Sequence, residues 1–185
     1  MATAYAEAQN LVGPSGEMVT VDAGSRARIR PRSEFEQAVL DGRAFSFASV
    51  TYDPDAHDTI LAIQNDNKDS DFHVQRIVAS SDTASQIQVF DTSGVTMAGT
   101  AVTGVNLNRA SGRIAQATAK ADETGNGAQG AGYTGFLFAE LLVANTAKTM
   151  EIGGAISIPY NHVIGVDLTT AATGAAVTIY GWFDE

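Results

Sequence analysis

The stretch that decides the fold is AISIPYNHVIGVDL, residues 155–168. Apolar or ring-bearing residues occupy every second position from Ile156 to Leu168, which is the pattern of half-buried β-strands. Pro159 interrupts this pattern, and because proline has no backbone N–H to donate to a neighbouring strand, it marks a sheet edge or a corner. The stretch therefore predicts two strands that meet at Pro159.

Further segments with a two-residue period lie on the N-terminal and C-terminal sides of this stretch, separated by turn-forming residues. They are residues 44–52, 59–65, 72–80, 85–90, 100–108, 112–121 and 175–183. In FLFAELLVANTA, residues 136–147, the residue types favour a helix, but phenylalanines two apart and flanking glycines favour a strand. Nine or ten short strands without alternating helices predict an all-β fold, an antiparallel, jelly-roll-like β-sandwich over residues 44–185.

The first 43 residues show a different pattern. SEFEQAVLDG, residues 33–42, carries the signals of a two-turn helix, with Ser33 as the N-cap, Glu36 three residues later and Gly42 as the stop. We therefore divide the chain into residues 1–43, an extended N-terminal arm and one short helix, and residues 44–185, the β-sandwich body.

A row of arginines lies in this arm, within GSRARIRPR at residues 24–32. Its members are Arg26, Arg28, Arg30 and Arg32. In an extended chain, a period of two places all four on one side and Ile29 on the other. Such a row is costly unless carboxylates or phosphates face it. We predict that the row and Ile29 bind a partner; the alternatives are a solvated face and packing on the protein's own acidic body.

The charge balance narrows the class of partner. The chain has a formal net charge of −10, and residues 50–185 contain fifteen acidic against six basic residues. A body this acidic repels phosphate, so we expect no nucleic-acid partner.

No apolar run approaches the ~18–20 residues that cross a bilayer. The first residues, MATAYAEAQNLVG, lack the pattern of a secretory signal. We expect a soluble, unprocessed protein without membrane contact.

The segment most suggestive of chemistry is NDNKDSDFH, residues 65–73, which holds Asp66, Asp69 and Asp71. It lacks the glycine and the glutamate that an EF-hand calcium loop needs at its sixth and twelfth positions. It also joins two predicted strands, where a polar turn is expected. We interpret it as a solvated turn, with an irregular calcium site as the alternative.

Signals for catalysis are weak elsewhere. The chain has no cysteine, and His57, His73 and His162 show no metal-binding spacing. No serine stands in a GxSxG motif, and the glycine-rich TGNGAQGAGYTG, residues 124–135, lacks the lysine of a phosphate loop. We therefore predict no catalytic, cofactor-binding or metal-binding residues, and a protein that is not an enzyme.

Three stretches carry a family resemblance: DTILAIQNDNKDSDFHVQRIVAS, GVNLNRASGRIAQATA and IPYNHVIGVDLTTAATGAAVTIYGWF. They resemble the accessory capsid proteins that decorate or cement the heads of tailed bacteriophages, over roughly residues 44–185. The resemblance implies a structural virion protein made in the host cytoplasm and located on the capsid surface. It also implies a β-sandwich trimer that binds the major capsid protein or other virion proteins, with an arm laid along the shell.

Two other functions remain open. A tail or baseplate component of a phage would have a similar composition. A carbohydrate-binding jelly-roll module would need exposed aromatic residues, which Trp182, Tyr180 and Tyr160 could supply. An oligomer is expected from the residues as well, because TILAIQN and FLFAELLVA carry apolar residues on both faces of their strands. The resemblance implies that this oligomer is a homotrimer.

Overall fold

A computed structural model describes residues 18–21, 27–30, 32–121 and 135–184, with side chains described from residue 32 onward. Within these ranges the chain forms thirteen strands and one helix. In chain order they are β1 (Met18–Val21), β2 (Ala27–Arg30), α1 (Glu34–Leu40), β3 (Ala44–Ala48), β4 (Thr59–Asn65), β5 (Phe72–Ser81), β6 (Ser85–Ser93), β7 (Thr100–Val102), β8 (Val105–Asn106), β9 (Ala117–Ala121), β10 (Phe136–Leu142), β11 (Thr146–Ile158), β12 (His162–Leu168) and β13 (Ala175–Phe183).

Nested antiparallel pairs establish the topology. β3 pairs with β13, β4 with β12, β5 with β11, and β6 with β10. Along the chain, each of these pairs therefore lies between the two strands of the pair before it. Successive pairs alternate between two sheets, which have the orders β10-β6-β12-β4-β9-β7 and β11-β5-β13-β3-β8. Eight strands folded in this way form a jelly roll. The predicted antiparallel, jelly-roll-like sandwich is confirmed.

The core lies between the two sheets and follows from the two-residue period of the strands. Its largest fully buried side chains include Phe47, Phe72, Leu61 and Ile179. Pro159 lies in the turn between β11 and β12, as its missing N–H predicts. Residues 136–142 form strand β10, and the rest of the segment 136–147 forms a turn and the start of β11, so the segment is not a helix, as its spaced phenylalanines favour.

Helix α1 begins and ends where the sequence predicts. The Ser33 hydroxyl accepts a hydrogen bond from the Glu36 N–H, and the Glu36 carboxylate accepts one from the Ser33 N–H. Gly42 follows the helix with a positive φ of 72°, a conformation that glycine adopts without strain. The helix packs on the outer face of the five-stranded sheet, through a small cluster of buried residues centred on Trp182.

Two predicted strands are shorter than expected. Residues 100–108 form β7 and β8, which lie in different sheets, and the strand predicted over 112–121 begins only at Ala117. Asparagine and serine side chains explain the difference, because they hydrogen-bond to the backbone of residues 106–113 and hold it as a loop.

The arm is more structured than the predicted extended segment. β1 and β2 form an antiparallel ribbon in which Arg28 lies opposite Thr20 and Arg30 opposite Met18. Two-stranded pairing satisfies backbone groups that a lone extended strand leaves unpaired. No helix among the described residues is long and apolar enough to cross a membrane.

Candidate functional site

The structure describes the arginine row in part. Arg28, Ile29 and Arg30 belong to strand β2, so the period of two is kept at positions 28 and 30. Arg26 lies outside the described residues, and the side chains of residues 28–30 are likewise not described. Arg32 is exposed, and its Nη1 lies 3.5 Å from Gln37 Oε1 on α1. The row therefore ends at the exposed start of a helix that is fixed to the body.

Aromatic packing fixes that helix. The ring of Phe35 meets the ring of Trp182 edge-on, with centroids 5.8 Å apart, and the ring of His73 stacks on Trp182 at 5.2 Å. Trp182 is 4% exposed, and Ala38 contributes to the same buried cluster. The helix that follows the arm is thus packed on the five-stranded sheet.

The aspartate segment forms a hydrogen-bonded turn organised by Asn65, which is fully buried. Asn65 Nδ2 donates to the carbonyl oxygens of Ser70, at 2.8 Å, and Ile158, at 2.9 Å. Asn65 Oδ1 accepts from the Asn67 N–H, and Asn67 Oδ1 accepts from the Asp69 N–H. These are side-chain-to-backbone bonds of the Asx type that shape turns.

The aspartates of this turn make contacts with hydroxyl groups. Asp66 Oδ2 accepts a hydrogen bond from Thr118 Oγ1 at 2.7 Å, and Asp71 Oδ2 accepts one from Ser157 Oγ at 2.6 Å. Across the described ranges, no three acidic or histidine residues are grouped closely enough to hold a metal ion. The contacts favour the turn interpretation over the calcium site.

The histidines lie in separate contacts. His73 Nε2 is 2.8 Å from Asp184 Oδ1, and His162 Nδ1 is 3.0 Å from Asp91 Oδ1. His57 occupies a left-handed backbone conformation with a φ of 67° in the connection before β4. The fold therefore places the three histidines in three different environments.

Strand β10 is an edge strand with exposed apolar side chains. In the described part of the chain it pairs with β6 alone. Phe138 and Leu142 pack against the core, whereas Leu137 and Leu141 are exposed, Leu141 by 73%. Phe136 and Val143 are also exposed. Edge strands with this composition present both unpaired backbone groups and apolar surface to a partner.

The apolar residues on the two faces of TILAIQN do not need a second subunit to cover them. In β4, the segment TILAIQN, every residue except Gln64 is buried within the chain itself. Ala62, on the outer face, is covered by Val95 and Met97 from the connection after β6. The expectation of an oligomer therefore rests on β10 rather than on β4.

The aromatic residues required by a carbohydrate site do not form a common surface. Trp182 is buried beneath α1, and the Tyr180 ring lies 4.3 Å from the guanidinium carbon of Arg76. Tyr160 is exposed, in the turn between β11 and β12. Burial of Trp182 removes the side chain best suited to stack on a sugar ring.

The loop that follows β8 carries the exposed residues Arg113 and Ile114. The two-residue period predicts strands over most of this loop, and the structure does not form them there. Asn106, Asn108 and Ser111 were the available signal, because such residues at short spacing favour turns that hydrogen-bond to their own backbone.

No protein-family model matches the chain, and no curated protein matches it in sequence.

Proposed function

We propose that the protein is a non-enzymatic structural component of a tailed-phage virion, which decorates or cements the capsid by binding its outer shell. The observation that carries the proposal is the position of the arginine row. It precedes an acidic jelly-roll body and ends at Arg32, at the exposed start of a helix that is packed on that body.

The arm is proposed to bind carboxylates of the major capsid protein or of another virion protein. Arginine forms bidentate pairs with carboxylates, and pairs shielded from water contribute more than the ~0–1 kcal/mol typical of exposed pairs. The acidic body disfavours phosphate as the partner. The location that follows is the capsid surface, after synthesis in the host cytoplasm.

The body is proposed to assemble as a homotrimer, with the β10 edge in the subunit contact. Leu137 and Leu141 supply apolar area there. Glu140 Oε2 lies 3.4 Å from Lys148 Nζ on β11, so the charge of Glu140 is compensated within the chain. A neutral, apolar edge allows acidic bodies to approach one another despite their net charge.

The experiment that tests this function separates purified virions into heads and tails and probes each fraction with an antibody against the protein. The proposal predicts the protein in the head fraction and its accessibility on intact heads. Detection in the tail fraction alone would favour the tail or baseplate function, and absence from virions would refute both.

A further inference from the structure

A cleft of about 480 Å³ opens at one end of the sandwich. Its walls come from the residues after α1, from the loop that follows β8, from the end of β13 and the residue after it, and from Asn67 in the β4–β5 turn. Gly42 and Arg43 form the first wall, Arg113 and Ile114 the second, and Phe183 and Asp184 the third. None of the contacts described so far explains why these groups surround an open space.

The loop that carries Arg113 and Ile114 is held in place by hydrogen bonds. Asn106 Nδ2 donates to the carbonyl oxygens of Gly42, at 2.8 Å, and Arg113, at 3.1 Å. Asn108 Nδ2 donates to the Leu40 carbonyl oxygen at 2.8 Å, and Ser111 Oγ accepts from the Arg113 N–H. The loop is thus fixed to the end of α1, and a ligand that contacts it would incur little ordering entropy.

Within the described ranges, Arg113 is the cation of the cleft that has no ion pair and so remains available to a ligand. Asp41 Oδ2 lies 3.1 Å from Arg43 Nη2 and Asp41 Oδ1 accepts from Gln37 Nε2, while Asp184 Oδ1 lies 2.8 Å from His73 Nε2. Both carboxylates beside the cleft therefore already have partners. Over the described residues, no carboxylate lies within ion-pair distance of the exposed Arg113 guanidinium.

An apolar group lies next to this cation. The Ile114 side chain is 84% exposed, the largest exposed fraction among the exposed large hydrophobic residues, and Phe45 and Phe183 also border the cleft. Burial of apolar area contributes about 25 cal/mol per Å². A ligand that covers Ile114 while it reaches Arg113 would gain from both contacts.

We propose that this cleft binds a carboxylate attached to a branched apolar group, supplied by a partner protein chain. Arg113 pairs with the carboxylate, and Ile114 packs on the apolar group. This site is separate from the arginine row, and the inference does not depend on the virion function.

The test uses the full-length protein with ¹³C-labelled isoleucine methyl groups, the Ile114 signal being assigned with Ile114→Val. N-acetylvaline is the probe for a chain-terminal carboxylate, and N-acetylaspartylvalinamide is the probe for a side-chain carboxylate. We expect at least one of them to shift the Ile114 methyl signal in a saturable manner, and the stronger binder identifies the source. N-acetylvalinamide, which lacks the charge, should leave the signal in place.

The matched variants are Arg113→Gln and Arg109→Gln, because both arginines are exposed on the same loop but only Arg113 lines the cleft. Loss of the ion pair should weaken binding about tenfold or more in Arg113→Gln and leave it unchanged in Arg109→Gln. Equal effects of the two variants, equal binding of the uncharged amide, or no saturable shift with either acid would overturn the proposal. Unchanged thermal melting of both variants excludes unfolding as the cause.

Discussion

At the scale of single residues, Asn65 shows how one side chain can organise a turn. It is fully buried, and its amide donates to two carbonyl oxygens from different segments of the chain, those of Ser70 and Ile158. Its carbonyl oxygen accepts from the Asn67 N–H. Three hydrogen bonds from one buried side chain join the β4–β5 turn to the end of β11. The charged residues of NDNKDSDFH are exposed or half-buried at the surface of this turn.

We predict that Asn65→Ala lowers the free energy of unfolding by about 2–4 kcal/mol, because buried backbone groups lose their partners. The combined replacement of Asp66, Asp69 and Asp71 by asparagine should have a much smaller effect, since asparagine accepts the same local hydrogen bonds. Urea unfolding measures both. A large loss in the triple variant, or a melting temperature that depends on calcium in the wild type, would contradict the turn interpretation.

Asp82 lies at the end of the sandwich opposite to Asn65 and makes a pH-dependent contribution to the stability of the fold. The Thr173 hydroxyl donates a hydrogen bond to Asp82, and this bond lowers the pKa of Asp82 below its usual 3.8. Hydrogen bonds from Thr83 and from the backbone of residues 173–174 lower this pKa further, whereas desolvation opposes the shift. Because the folded pKa is lower than the unfolded one, the ionised carboxylate stabilises the fold above about pH 4. This stabilisation disappears as the pH falls through the folded pKa.

We therefore predict that Asp82→Asn lowers the melting temperature at pH 6, and that its difference from the wild type shrinks as the pH falls below about 4. The control is Asp69→Asn, because Asp69 is exposed in the β4–β5 turn. A wild-type–variant difference in melting temperature that stays constant from pH 6 to pH 3 would show that the Asp82 charge does not contribute.

At the scale of elements, strand β11 closely approaches Trp182, the residue on which α1 packs. Gly153 and Gly154 both have positive φ values, 63° and 82°, and lie where the pairing of β11 with β5 changes register. A Cβ on Gly154 would overlap the ring of Trp182, whereas a Cβ on Gly153 would meet open space. The two glycines share a backbone conformation and differ in their surroundings.

This difference gives a matched pair of variants. Gly153→Ala should cost about 1 kcal/mol for the left-handed backbone alone, whereas Gly154→Ala should cost more and should displace Trp182. The chain has one tryptophan, so its fluorescence reports on this site directly. We expect a red-shifted emission in Gly154→Ala only. An identical emission spectrum in the two variants would show that the contact with Trp182 does not hold the helix in place.

Sequence patterns predict an element correctly where the local preferences of its residues agree with the tertiary contacts that those residues make. Ser33, Glu36 and Gly42 define the helix because capping is local, and Pro159 defines a strand boundary because it lacks an N–H. The loop after β8 carries a local turn signal in Asn106, Asn108 and Ser111, but its position against α1 depends on distant partners, the carbonyl oxygens of Leu40 and Gly42, which the sequence does not show. The cleft beside Arg113 could not be predicted for the same reason, since its walls come from four separate segments.

At the scale of the whole molecule, the two edge strands of the six-stranded sheet differ in length and in exposed apolar surface. One edge is β7, a strand of three residues, and the other is β10, a strand of seven residues with exposed leucines. Short edge strands discourage pairing between molecules, whereas long apolar ones promote it. The contrast favours subunit contacts at β10.

We predict that the wild type is a trimer at micromolar concentration and that Leu141→Lys is a monomer, because a charge on an apolar edge opposes association. Val105→Lys, on the exposed face of the short strand β8, is the control and should remain trimeric. Sedimentation equilibrium distinguishes these states. A monomeric wild type would contradict intrinsic trimerisation, and a trimeric Leu141→Lys would move the subunit contact away from β10.

The central claim is that the arm attaches the protein to a virion shell. Its arginines are separated from the body by a helix that remains packed without them, because the contacts of Phe35 and Ala38 with Trp182 begin after Ser33. Deletion of residues 1–32 should therefore leave the fluorescence and the melting of the sandwich unchanged. Binding can then be measured independently of folding.

The most direct measurement is the binding of the protein to capsids that lack it, for the wild type, the deletion of residues 1–32, and the variant with Arg26, Arg28, Arg30 and Arg32 changed to alanine. Two double variants control for the loss of positive charge. Arg28→Ala/Arg30→Ala removes two cations from the arm, and Lys68→Ala/Arg109→Ala removes two cations from the body. We predict that the deletion and both arm variants bind more weakly than the wild type, that the body variant binds normally, and that added salt weakens wild-type binding. Wild-type affinity in the deletion and in the quadruple variant would contradict the claim and would place the interface on the sandwich.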